Sequence, residues 1–222
     1  MNVRLVSYSQ PTKEFADMGI DDAQELIAYC ARVSNPANQY NTETSDKLIR
    51  YLVKHKHWSP LEMVSACLEI NTTRDIARQI LRHRSFSFQE FSQRYADPTK
   101  DLKFVTREAR LQDDKNTQNS IEADDPQLQA WWDAKQKWVI EQARITYEAA
   151  IEKGIAKEQA RAVLPEGLIE SRLYMNGTLR SWVHFIELRS GNGTQKEHRE
   201  IAKMCAQVIA QVFPMSVQYI QE

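Results

Sequence analysis

The sequence predicts an α+β fold: a single helix-rich mixed domain over residues 1–222 with a small sheet. Three observations predict it. Short runs of strand length stand near the start, in the first third and in the last third of the chain, too few for a large sheet. Longer segments between them carry apolar residues at helical spacing. Gly, Pro and capping residues fall at the joints, and no internal repeat or low-complexity tract interrupts the pattern.

Val3 to Tyr8 alternates and reads as a strand. Ala23, Leu26, Ile27, Cys30 and Ala31 predict a helix from Asp22 to Val33, and Leu48, Ile49, Leu52 and Val53 another from Ser45 to Lys56. Met63 to Ile70 reads as a strand, after which Thr72 or Thr73 caps a helix to His83. The aromatic run Phe86 to Tyr95 is extended. From Asp97 to Asp125 the chain turns polar, and QDDKNTQNSIEADD predicts an exposed, mobile loop. Pro126 opens a long helix to Lys153 whose Trp131, Trp132, Trp138 and Tyr147 belong to an apolar surface wide enough to imply burial on more than one side. Residues 156–165 form a short helix stopped by Pro165, and Leu168 to Met175 a strand. Thr178 to Leu188 is a helix, and Gly191 and Gly193 break the chain before the last one, Gln195 to Phe213.

With 42% hydrophobic residues the chain can bury a sizeable core. Lys and Arg total 29 against 30 Asp and Glu, so no global field draws the surface to nucleic acid or anionic lipid, and any anion site is local. Neither a membrane-length apolar run nor a signal-peptide pattern is present, which predicts a cytoplasmic protein without a membrane partner. Cys30, Cys67 and Cys205 are distant from one another, which argues against disulfides and thiolate zinc, and each sits in an apolar segment that predicts burial. His55, His57, His83, His184 and His198 lack ligand spacing with a nearby carboxylate, so no metal is expected. Trp131, Trp132 and Trp138 are expected in core or subunit contact.

Arg74, Arg78 and Arg82 recur every four residues and predict a guanidinium stripe outside the core. Gln79, Arg82 and His83 share a face at the helix end, and Arg84 follows. Alone, this triplet reads as a solvated basic cap favoured by the helix dipole. Glu90, Ser92 and Arg94 change the weighing, because at i, i+2 and i+4 on a strand they point to one face. Beside Arg82 to Arg84 they would make a donor-rich cradle for an anion, since arginine grips phosphate bidentately.

The string Arg82-His83-Arg84, seven residues, then Ser92-Gln93-Arg94 resembles the signature of the flavin-dependent thymidylate synthases. HWSPLE (His57 to Glu62), ARAVLP (ending Arg161 to Pro165) and RSWVHFIELR (Arg180 to Arg189) resemble further segments of that family in the same order. Met63 and Thr178 depart from it, standing where histidine and asparagine are frequent. The resemblance implies FAD as cofactor, NADPH and methylenetetrahydrofolate as co-substrates, dUMP as substrate, and a homotetramer with active sites shared between subunits. It places His57, Ser59, Arg82, His83, Arg84, Glu90, Thr178, Arg180 and His184 toward FAD. Gln79, Arg82, Glu90, Ser92, Arg94 and Arg161 go toward the dUMP phosphate and sugar, and Arg189 toward the uracil ring as the catalytic residue.

Spacing supplies one check that needs no family. Arg180 and His184 share a helix face, while Arg189 lies about half a revolution from Arg180. A helix with polar groups on opposite sides suits a position between two sites, although Arg189 alone reads equally as a solvated helix-end cation. Two other functions remain open on the sequence. One is a nucleic-acid module that stacks bases on Phe86, Phe88 and Phe91; the other is a flavin oxidoreductase without methyl transfer.

Overall fold

The computed structural model describes residues 1–221. In chain order the regular elements are β1 (Asn2–Tyr8), α1 (Lys13–Ala16), α2 (Ala23–Ala31), α3 (Ser45–Lys54), β2 (Ser65–Thr73), α4 (Arg74–Ile80), β3 (Ser87–Glu90), α5 (Pro98–Asp101), β4 (Arg110–Gln112), β5 (Ser120–Glu122), α6 (Pro126–Glu152), α7 (Lys157–Ala160), β6 (Glu170–Thr178), α8 (Leu179–Arg189) and α9 (Lys196–Ile209). Short 3-10 turns add Pro36–Asn38, Ser59–Met63, Arg161–Val163 and Pro214–Tyr219.

The sheet has four strands in the order β1-β2-β6-β3, every neighbouring pair antiparallel. Alternation decides which side is buried. Ala66, Leu68 and Ile70 of β2 and Ser171, Leu173, Met175 and Gly177 of β6 face the core, while Arg172, Tyr174 and Asn176 are exposed on the opposite face. Helices α8 and α9 cover the inner face. In α9 the buried residues His198, Ile201, Ala202, Cys205, Ala206 and Ile209 make one stripe at helical spacing. Trp182 of α8 is fully buried, and its Nε1 donates to the Ala66 carbonyl at 3.0 Å, so the indole carries no orphaned donor into the core.

Strands β2 and β6 pair over their whole length, Ser65 opposite Thr178 and Thr73 opposite Glu170. Each runs directly into a helix. Because the strands are antiparallel, α4 and α8 leave opposite ends of the pair, and their C-terminal ends converge on the inner side. A clamp holds the start of α4: Arg107 donates to Asp75 Oδ2 at 2.9 Å and Oδ1 at 2.6 Å, and also to the Thr73 hydroxyl. Burial raises the Asp75 pKa, but the hydrogen bonds from Arg107 and Thr73 outweigh it and hold the carboxyl below its ordinary range. Thr73 sits at the N-cap position as expected, yet its side chain serves this clamp and does not cap the helix backbone.

Four expectations need correction. First, residues 97–125 are not an open loop. Asp97 caps α5, Phe104 bridges to Ile169, and β4 and β5 form a hairpin. Side-chain amides of α6 organise the segment: Gln129 pairs with both backbone groups of Ala109 at 2.8 and 2.9 Å, and Gln136 does the same for Arg107 at 2.9 and 2.8 Å. Composition does not reveal such pairing, because the partners lie in another element. Second, α6 buries only Gln136, Ala143 and Tyr147, and leaves Trp131 at 55% and Trp138 at 64% exposure, so within one chain its apolar surface is not covered on several sides.

Third, Arg74 is 5% exposed and belongs to the interior. It meets Glu90 at 3.4 Å and Glu166 at 3.3 Å, which supply the compensation a buried cation requires. Fourth, Cys205 is buried, but Cys30 and Cys67 are only partly so; Cys67 points to the sheet face away from the core, between inward Ala66 and Leu68.

Candidate active site

Polar side chains from the sequence motifs gather in separate groups. The first lies where α4 and α8 converge. Nε of Arg189 donates to Nε2 of His83 at 2.9 Å. Gln79, one turn earlier on α4, donates from Nε2 to Oε1 of Gln195 at 2.8 Å, and its own Oε1 lies 3.2 Å from Nδ1 of His198. Burial first, then the charge of Arg189 and the neighbouring His184, lowers the His83 pKa to about 4, so its ring is a neutral acceptor at neutral pH. Burial and nearby Arg82 likewise lower the pKa of Arg189 below the ordinary guanidinium value. Both cations lie near converging helix C-termini, where the negative ends of the dipoles favour positive charge and an incoming anion would relieve their repulsion.

The second group lines a cleft of about 420 Å³ formed by Trp58, Glu62, Ser85, Arg180, Ser181 and His184. It opens at the N-terminal end of α8. Thr178 caps that helix, accepting from the Ser181 amide at 3.4 Å, and the Ser181 hydroxyl donates to the Ser85 carbonyl at 3.1 Å. Arg180 pairs with Glu62. A helix N-terminus, a guanidinium, an imidazole and hydroxyls form a donor set suited to a phosphate-bearing ligand.

The third group joins the turn after β3 to α7. Arg94 lies 3.5 Å from Glu158, and Nε of Arg161 donates to the Glu158 carbonyl at 3.3 Å. The extended reading of Phe86 to Tyr95 holds only to Glu90, where β3 ends. Beyond it a local turn wins: the Arg94 amide donates to the Ser92 hydroxyl at 3.3 Å, and the amides of Tyr95 and Ala96 donate to the Ser92 carbonyl at 3.1 and 3.2 Å. Glu90 therefore does not share a strand face with Ser92 and Arg94. It accepts from the Ser171 hydroxyl at 2.8 Å and faces Arg74 and Arg78 instead.

His57, Ser59 and Arg84 stand outside these groups. His57 is exposed in a cluster with Tyr51 and His55, ring centroids 6.1 and 6.2 Å away, and Ser59 is exposed at the start of its 3-10 turn. Arg82 and Arg84 are exposed on either side of buried His83. Spacing correctly separated Arg180 and His184 from Arg189: the former line the cleft, and the latter faces α4. Sequence reasoning missed Trp58, Ser85, Glu158 and Gln195, and read His198 only as a satisfied or cofactor-facing histidine. Its signal was legible: a histidine on the apolar stripe of α9 must find a partner.

A further cleft, about 630 Å³, lies between the β4-β5 hairpin and the first turns of α6 and α9 and contains no residue of the arginine motif. There Arg110 pairs with Glu197, and Lys196 with Glu108 and Glu122. Among the described residues no group of three His, Cys, Asp or Glu side chains is placed to hold a metal ion, and no helix is long and apolar enough to cross a membrane.

Helix α8 of this helix-rich antiparallel fold thus carries a guanidinium group near each end, Arg180 and Arg189. The family model described as thymidylate synthase complementing protein matches residues 16–215. A probable flavin-dependent thymidylate synthase of Paramecium bursaria Chlorella virus 1 is 47% identical over 96% of this chain and 96% of its own length. A flavin-dependent thymidylate synthase of Synechocystis sp. is also 47% identical, over 96% of each chain. Among solved structures, the UMP/dUMP methylase PolB from Streptomyces cacaoi, bound with 5-Br dUMP, superposes with TM-score 0.77 at 24% identity over 98% of this chain and 93% of that one, a likeness of fold. The chain belongs to the thymidylate synthase complementing protein family, that of the flavin-dependent thymidylate synthases.

Proposed function

We propose that this protein is a flavin-dependent thymidylate synthase that converts dUMP to dTMP, with FAD as cofactor, NADPH as reductant and methylenetetrahydrofolate as carbon donor. The observation that carries the reading is the division of α8, with Arg180 and His184 on a cleft at one end and Arg189 against His83 at the other. One helix thereby serves two anionic ligands.

The donor set of the cleft fits the phosphate-bearing part of FAD, held by Arg180, His184 and the start of α8, with Thr178, Ser59, His57, Arg82, His83, Arg84 and Glu90 as the further contacts the family signature supports. When bound, FAD would supply the hydride that completes the methyl group. The chain's own residues do the rest. Ser92, Arg94 and Arg161 grip the dUMP phosphate, Gln79, Arg82 and Glu90 position the nucleotide, and Arg189 lies along the pyrimidine edge. There it stabilises negative charge on the ring as carbon is added, a preorganised contact worth a few kcal/mol.

A cysteine nucleophile does not fit. Burial pushes the thiols of Cys30, Cys67 and Cys205 up, away from the thiolate such chemistry needs. The protein is a cytoplasmic homotetramer on this reading, with subunits bringing the separate groups together; exposed Trp131, Trp132 and Trp138 on α6 support contact between subunits. Incubation with dUMP, methylenetetrahydrofolate, NADPH and FAD should yield dTMP. NADPH oxidation without dTMP would make the protein an oxidoreductase instead.

A further inference from the structure

Helix α9 carries a hydrogen-bonded relay that ends on Gln79. Glu197 accepts from Arg110 at 2.5 Å and, through its other oxygen, from Nε2 of Gln195 at 3.0 Å. A carboxylate only accepts, so the amide of Gln195 has its nitrogen toward Glu197 and its oxygen toward Gln79. That oxygen in turn requires the nitrogen of Gln79, at 2.8 Å. The Gln79 oxygen is then left facing Nδ1 of His198 at 3.2 Å, and this nitrogen must carry the proton. Reversing any member would set two acceptors or two donors against each other.

His198 is 1% exposed, and its Nε2 has no hydrogen-bond partner among the described residues. An N–H there would be stranded, which selects the Nδ1–H tautomer a second time. The ring packs against Phe185 at 5.8 Å and His83 at 6.3 Å between centroids, which fixes its plane. Gln79 thus keeps one amide N–H uncommitted on a half-buried side chain.

We infer that His198 is a positioning residue for the substrate nucleotide: it locks the Gln79 amide so that Gln79 offers an N–H to an acceptor oxygen of dUMP and withholds its carbonyl. The inference rests on the assignment of Gln79 to the nucleotide. Without the histidine the Gln79 oxygen loses its donor, the amide is free to rotate, and a fraction of molecules presents the wrong end to the substrate.

The test compares Gln79→Leu, His198→Leu and His198→Asn as FAD-loaded full-length proteins, with dUMP as probe. Asparagine can place an N–H close to where Nδ1 of histidine stands; leucine fills the space without a donor. His198→Leu should raise KM for dUMP about tenfold with kcat changed by less than about threefold, and His198→Asn should recover most of that loss. Gln79→Leu should show a rise at least as large. If His198→Leu binds dUMP normally while Gln79→Leu does not, or if asparagine is as poor as leucine with equal loss of FAD and melting temperature, His198 is structural only and the inference falls. Normal dUMP binding by Gln79→Leu overturns it from beneath, by removing Gln79 from the nucleotide site.

Discussion

Nε of Arg189 donates to Nε2 of His83 across 2.9 Å, tying the last turn of α8 to the end of α4. The contact lies where two helices, sent from opposite ends of the β2-β6 pair, meet. His83 must stay neutral to accept, and its burial beside a cation ensures that it does. The guanidinium of Arg189 is thereby oriented before any ligand arrives, the condition for electrostatic stabilisation without reorganisation.

Arg189→Ala is expected to fold and to keep FAD, because the cleft at the far end of α8 is untouched. It should lose dTMP formation by roughly 100-fold or more in kcat, the scale for removing a preorganised charge contact. Steady-state turnover with flavin absorbance on the same sample checks both halves, and unchanged turnover removes Arg189 from the chemistry.

Ser92→Ala should weaken dUMP binding about fivefold, since a neutral donor contributes roughly 1 kcal/mol. NADPH-driven flavin reduction should survive. The same hydroxyl accepts from the Arg94 amide at 3.3 Å, so part of the loss reflects a looser turn. Calorimetric titration with dUMP decides; normal affinity with abolished turnover contradicts this role.

Acid should destabilise the fold through its buried histidines. His83 titrates at about 4 and His198 at about 3 in the folded chain, the latter lowered by burial, Arg189 and His83. Both lie below the unfolded value of about 6.5, so between these limits the unfolded chain binds more protons. Their contribution is complete above about pH 6.5 and is lost as pH falls toward the folded values, with a slope of at most about 1.4 kcal/mol per pH unit for each histidine. Urea unfolding from pH 7 to pH 5 should show this decline and His198→Leu should flatten it; an unchanged slope in that variant contradicts the assignment.

Gly177→Ala should destabilise by roughly 1–3 kcal/mol through overpacking. A Cβ at this position of β6 would overlap the ring of Phe86, which is wedged against Trp182 at a centroid distance of 4.7 Å. Phe86 follows the arginine triplet closely, so the variant should also lower FAD retention. A melting temperature equal to the parent's would show that the ring moves aside freely.

Local signals were the legible part of this fold. Apolar periodicity placed α2, α3, α8 and α9 to within a few residues, and Asp125 with Pro126 fixed the start of α6, where Asp125 accepts from Gln127 and Leu128. Partnerships between distant residues were not legible. Nothing near Arg107 announces Asp75, nothing in the polar run announces the glutamine amides of α6, and Glu90 looked free because Ser171 and Arg74 lie far away in sequence or in another element. The arginine signature supplied the candidate residues, and the end of β3 at Glu90 with the turn at Ser92 explains why Arg94 stands apart from Arg82 to Arg84.

The central claim, that the arginine-rich turn and α8 together hold a flavin beside dUMP, is tested most directly by the absorbance spectrum of the purified protein during NADPH addition. The account predicts a yellow protein whose flavin band bleaches faster once dUMP is present. A colourless protein that cannot be loaded with FAD, or bleaching indifferent to dUMP, would contradict it.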